Sequence, residues 1–237
     1  MGSELKNFFV TDESSREAGL GGKPLRGVGA KRREVLWLQV VLGYLLIEAA
    51  LWTPPGRLDA LWMAAAVVCL AWWTIGGDFS AKEMGLALPT AKASAWIVLG
   101  GLILAGLVPA LAAVLGDNTG AKHMLPFHSA WQYALWAVDQ EFILQSFFFV
   151  RLESLLGSRR AVAAAAVVFA AAHIPSPILA FTSLFGALFF CEMFRRYRNI
   201  FPLGAVHAAL GLIIAASFSD AALHHMRVGI GYVRFHP

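Results

Sequence analysis

Seven stretches of this chain, at roughly 35–53, 58–76, 94–116, 128–150, 160–174, 177–194 and 200–218, are largely apolar. About 20 residues of helix cross the roughly 30 Å hydrocarbon core of a bilayer. A soluble helix of that length needs a polar face for water, and several of these runs have none. The whole chain agrees: 58% of its 237 residues are hydrophobic and 14% charged, where soluble domains average about 45–50% and 25%. Lipid is therefore the solvent. A chain in lipid must satisfy its backbone internally, so the expected fold is an all-α, polytopic transmembrane helical bundle of about seven spans, within limits of six to eight.

Proline punctuates the runs at Pro54–Pro55, Pro126, Pro175, Pro177 and Pro202, as expected near helix ends. The fifth run is short and Ala-rich, which suits a helix packed among others better than one facing lipid. Residues 1–33 are Gly- and charge-rich without periodicity and read as a flexible cytoplasmic tail, with no cleavable signal peptide. Residues 34–220 read as a single transmembrane domain and 221–237 as a short C-terminal tail. Cys69 and Cys191 lie in apolar runs and read as small buried residues. No internal repeat supports an inverted-repeat transporter.

The charges orient the bundle. With the N-terminus in the cytoplasm, 15 Lys/Arg fall on cytoplasmic segments: seven in the tail, then Lys82, Lys92, Arg151, Arg159, Arg160, Arg195, Arg196 and Arg198. Only four, Arg57, Lys122, Arg227 and Arg234, fall outside. That is the bias the positive-inside rule requires. The net charge of +4 sits beside apolar runs, so membrane lipid is the expected partner. No basic patch interleaved with aromatics points to nucleic acid.

An ionisable group inside a span costs about 2.5–3.5 kcal/mol on insertion scales, so each one needs a reason. Glu48, one turn from Trp52, can reach the interface. Glu192 precedes Arg195 and Arg196 at ion-pair spacing. The fourth run differs: Asp139, Gln140, Glu141, Gln145 and Ser146 occupy the middle of an otherwise apolar helix. Glu141 and Gln145 share a face. Asp139 points about 200° away from Glu141 at 100° per residue. His173 closes the fifth run and His207 lies within the seventh. A carboxylate beside imidazole can activate water as a general base, and the same Glu141, His173 and His207 could ligate a divalent metal. Spacing decides neither, and no cofactor is otherwise indicated.

These segments, in this order, resemble the CPBP family of intramembrane endopeptidases, which includes the type II CAAX prenyl proteases and bacteriocin-processing proteins. The resemblance covers about residues 80–215, including Met84-Gly85-Leu86. Its motifs are Glu-Glu-x-x-x-Arg, Phe-x-x-x-His and His-x-x-x-Asn on successive helices. Phe169 and His173 match the second motif, and His207 opens the third. Gln140 stands where the family's general base would be, Glu141 keeps the second glutamate, Gln145 replaces the arginine and Gly211 the asparagine.

The resemblance implies a membrane protease of the bacterial cytoplasmic membrane acting on a membrane-embedded or lipid-anchored peptide. Glu141 and His173 would activate water, His207 would steady the oxyanion, and Asp139 is a second carboxylate within reach of the base role. It also implies that position 140 faces the histidines. A glutamine there cannot take water's proton at neutral pH. Two alternatives stay open: a catalytically impaired relative that binds a membrane segment or partner protein, and a small-solute carrier.

Overall fold

The computed structural model describes residues 29–117 and 127–235. All regular structure among them is helical. The helices are α1 (Ala30–Trp52), α2 (Arg57–Ile75), α3 (Ala91–Val114), α4 (Phe127–Glu141), a π-helical segment (Phe142–Phe149), α5 (Val150–Leu156), α6 (Ser158–Ala171), α7 (Pro177–Tyr197), α8 (Ile200–Ser217), and the short α9 (Asp220–Leu223) and α10 (Gly229–Val233). Polar residues start them where the chain turns. Thr90, Ser176, Asn199 and Ser219 each accept a backbone N–H of the first turn they precede, which satisfies one of its orphan donors. Pro177 follows Ser176 at the first helical position, where a missing N–H costs nothing.

The seven apolar runs all form helices, but they are not seven equal spans. Helices α1, α2, α3, α7 and α8 are each long and apolar enough to cross a membrane. Helix α6 has 14 residues, about 21 Å at 1.5 Å per residue, which is shorter than the hydrocarbon core. Its Ala161, Ala165 and Ala166 are fully buried, and it packs against α7, α5 and the π-helical segment. A small-residue stripe serves that role, because it lets neighbouring backbones approach. Large apolar side chains of α1, α2 and α3 such as Leu45, Val68, Trp72 and Leu102 remain exposed, as lipid-facing residues must.

The fourth run forms the centre of the bundle. Helix α4, the π-helical segment and α5 run on continuously from Phe127 to Leu156. Glu141 and the residues from Leu144 to Leu152 are buried without a break. Around this column pack α2, α6 and α7 at the π-helical segment, α8 at α4, and α1 at α5. π-Helical hydrogen bonding is rare and concentrates at functional sites. Here it begins at Phe142, directly after Glu141, and no feature of the sequence announces it.

Arg151, counted among the charges of the cytoplasmic segments, does not lie at the surface. It is fully buried, donating from Nε to Gln39 Oε1 at 2.9 Å, from Nη1 to the Phe147 carbonyl at 3.0 Å and from Nη2 to the Trp73 carbonyl at 2.7 Å. The guanidinium lies 4.0 Å from the centre of the Phe147 ring. Five donors in a planar fork let arginine tie three elements together in this way, so Arg151 clamps α1 and α2 onto the central column.

The Met84-Gly85-Leu86 turn is a second clamp. Ser146 Oγ donates to the Met84 carbonyl at 2.7 Å, and Ile200 N donates to the Gly85 carbonyl at 3.1 Å. Gly85 has φ +73°, and a Cβ there would meet the Phe194 ring at 2.4 Å, so both the backbone and the space demand glycine. Nearby, the Ser80 N–H donates to Glu83 at 2.8 Å and holds that carboxyl below its usual range. The Glu192 pairs with Arg195 and Arg196 form at 2.8 and 2.6 Å. Trp52 Nε1 donates to Glu48 at 2.9 Å, one helical turn away.

At the chain's ends the structure adds detail. Ala30 to Arg33 belong to the first turn of α1, while residues 1–28 of the expected N-terminal tail and Lys122 lie outside the described residues. The C-terminal residues expected as a tail are folded onto the bundle through 235. Helix α10 packs on α1, and Gly229 N donates to the Ile174 carbonyl at 3.1 Å. Asp117 accepts from both N and Oγ of Ser219 at 2.9 and 2.8 Å, which fixes the end of α3 to the start of α9.

Candidate active site

A cavity of about 730 Å³ opens beside the central column, lined by residues of α1, α2, α3, α4, α6, α7 and α8 and by Met226 and Val228 of the C-terminal segment. Its wall is mostly aliphatic and aromatic. The polar side chains on it include Tyr133, Asp139, Gln140, His173 and His207. An apolar pocket with a few convergent polar groups is the usual form of a small-molecule or substrate site.

Each polar group is placed by its helix. Gln140 is half-buried and Asp139 exposed, both at the cavity, and Asp139 is the single carboxylate among its lining residues. Glu141, one residue on, turns the other way. It is fully buried and does not line the cavity. Its Oε1 lies 2.9 Å from His207 Nδ1, and its Oε2 accepts from Gln145 Nε2 at 3.1 Å. So Glu141 stands behind His207, one turn from Gln145, as their shared face predicts.

The two histidines meet at the cavity across Phe169. The centre of its ring is 4.7 Å from that of His173 and 5.9 Å from that of His207. Phe169 therefore serves as the spacer between them. His207 is also stacked on Phe190, with ring centres 5.1 Å apart at 19°. His173 Nδ1 lies 2.7 Å from the Phe169 carbonyl. A carbonyl only accepts, so Nδ1 carries the proton and the Nε2 lone pair of neutral His173 is free for the cavity. For His207 the partner at Nδ1 is a carboxylate, so Nδ1 again is the N–H and Nε2 is the remaining nitrogen.

Gly211 lies one turn beyond His207 on α8. A Cβ built on it would fall 1.8 Å from Tyr133 Oη, so the phenol fills the space that a side chain at 211 would take. Tyr133 precedes Gln140 by seven residues, two turns along the same face of α4. That spacing is legible in the sequence, but nothing local brings the phenol to α8. Phe190, Met226 and Val228 carried no signal of their own, because they reach the cavity only through tertiary packing.

Among the described residues, no group of three or more His, Cys, Asp or Glu is gathered closely enough to hold a metal ion. The set that could ligate a metal, Glu141, His173 and His207, is divided: Glu141 is engaged with His207 Nδ1 and Gln145, and His173 Nδ1 with a backbone carbonyl. These residues do not fit a three-ligand site as arranged.

No curated protein and no solved structure matches the chain significantly. A family model does. Residues 124–213, which carry Gln140, Glu141, His173 and His207, match the Type II CAAX prenyl endopeptidase Rce1-like model, and this match over the motif-bearing segment supports the CPBP assignment that the motifs suggest.

Proposed function

We propose that this integral membrane protein is an intramembrane endopeptidase in which His173 activates water. The observation that carries this reading is the bond from His173 Nδ1 to the Phe169 carbonyl, which presents a lone pair at Nε2 on the wall of a cavity holding His207 and Gln140. Water gives its proton to His173 Nε2 as its oxygen attacks the peptide carbonyl carbon. The carbonyl pair moves onto oxygen. His207, held by Glu141, donates from a protonated Nε2 to that oxyanion. An imidazolium beside a buried carboxylate has no net charge as a pair, which avoids an isolated charge in the bundle. On collapse the oxyanion pair re-forms the carbonyl, the C–N bond breaks and the leaving amine takes the proton from His173. Glu141 acts in this scheme through His207, as a positioning residue, and Asp139 stands at the cavity without a direct part.

The aliphatic wall suits a substrate with a lipid-like or apolar portion, and the family model's name makes a prenylated CAAX peptide the first probe. The test is cleavage of such a peptide by the purified full-length protein in detergent. Peptide hydrolysis at a rate well above a no-enzyme control is expected, and its absence would argue against the reading.

Gln140 favours one alternative, an impaired relative that binds its target without cutting. It lies on the cavity wall with both histidines, where the family's carboxylate base would stand. In that case Gln140→Glu raises a near-background activity by about 10²–10⁴-fold, as is typical of a positioned base. With His173 as the base, the same variant changes activity by less than about tenfold, because the proton already has an acceptor.

The N-terminus is assigned to the cytoplasm on the 15-to-4 charge bias. In a variant lacking Cys69 and Cys191, a cysteine at Val114 is expected to react with an impermeant thiol reagent in intact cells. One at Arg160 is expected to react only after permeabilisation. The opposite pattern would invert the topology.

A further inference from the structure

We propose that the Tyr133 hydroxyl is a catalytic oxyanion donor of this site, supplied from α4 in place of the side chain that Gly211 lacks on α8. The inference rests on the endopeptidase reading above. Three observations carry it. A side chain at 211 would start one turn after His207, on the same face of α8, and its Cβ would collide with Tyr133 Oη at 1.8 Å and Cζ at 2.4 Å. The phenol oxygen therefore occupies the space at the cavity wall that a side chain at 211 would take. Tyr133, Gly211, His207 and Gln140 all line the same cavity. Finally, among the described residues no hydrogen bond engages the Tyr133 hydroxyl, so its proton is available to a ligand, whereas a half-buried phenol normally finds a partner.

The competing explanation is that Gly211 is small only for close packing. Gly204, two turns earlier, does serve that purpose: a Cβ there would meet Val138 at 2.7 Å. But Val138 presents only carbon atoms to Gly204, while the atom nearest Gly211 is the polar end of Tyr133. In the reaction, Tyr133 Oη–H and His207 Nε2–H would donate together to the carbonyl oxygen as its charge develops. No proton leaves Tyr133; the water proton goes to His173 and on to the leaving amine. Two donors converging on one oxyanion are more effective than either alone, since neither must reorganise as the charge appears.

The experiment compares wild type, Tyr133→Phe, Tyr133→Ala and Tyr133→Ala/Gly211→Asn, with His173→Gln as the inactive reference, on the prenylated CAAX peptide. Phenylalanine keeps the ring and removes only the hydroxyl. Tyr133→Phe is expected to lower kcat by about 10²–10³-fold, the usual loss for one oxyanion donor, with KM and melting temperature unchanged. In the double variant, asparagine occupies the space vacated by the ring and recovers at least tenfold over Tyr133→Ala. Wild-type cleavage that depends on His173 but survives intact in Tyr133→Phe would overturn the donor role and leave the endopeptidase reading standing. A wild type without cleavage would remove both. A fall in melting temperature that matches the loss of activity in Tyr133→Phe would assign the hydroxyl to stability and also overturn the proposal.

Discussion

His173→Gln is expected to reduce peptide turnover by about 10²–10⁴-fold, the contribution of a positioned general base. The substitution is chosen to spare the fold. The glutamine amide can donate to the Phe169 carbonyl as His173 Nδ1 does at 2.7 Å, and it stays polar at the cavity. What it cannot do is accept a proton from water at neutral pH. Melting temperature should therefore be held while kcat collapses. Purified variant and wild type should be compared on the same prenylated peptide, with thermal unfolding measured in the same detergent. If His173→Gln retained wild-type turnover, the base would have to lie elsewhere, and Asp139, the carboxylate on the cavity wall, would become the residue to replace.

Glu141→Gln is expected to cost a further large factor, about 10²–10³-fold in kcat, with little loss of stability. The reason is the hydrogen-bond inventory around it. Glu141 accepts from His207 and from Gln145, and Gln145 Oε1 is buried without a partner. A glutamine at 141 can still accept from His207 Nδ1. Its new NH₂ faces Gln145, which can turn its amide and accept through the oxygen now left idle. The network survives, and only the negative charge is lost. His207 can then no longer carry a second proton as half of a neutral pair, so the oxyanion loses its charged donor. Glu141→Leu would instead strand His207 Nδ1 and Gln145 Nε2 in the interior, and it should destabilise the protein by about 1–3 kcal/mol for each unpaired group. Measured together, the two variants separate the charge of Glu141 from its bonding. If Glu141→Gln kept full activity, the positioning role would fall, though the fold would not.

Much was determined by the sequence alone. Long apolar runs cannot be satisfied in water, so helices in lipid followed from hydropathy. Short-range spacing reached further into the site. The one-turn relation of Glu141 to Gln145, the separation of Asp139 from Glu141, and the Glu192 ion pairs all depend on helical periodicity, which persists whatever the neighbours do. The motif order placed His173 and His207 at one site, and both line one cavity.

Tertiary structure decided the rest, because it depends on which helices touch. Arg151 reads as one more cytoplasmic charge until Gln39, Trp73 and Phe147 surround it. The π-helical segment after Glu141 packs against α2, α6 and α7 together. Whether Glu141 or Gln140 faces the cavity turns on helix rotation, which a pattern of residues 100° apart cannot set by itself. The glycine at 211 reads as a lost asparagine in the sequence. Only the approach of α4 to α8 places the Tyr133 hydroxyl in its space, since a contact between residues 78 positions apart is a property of packing and of no local preference in either helix.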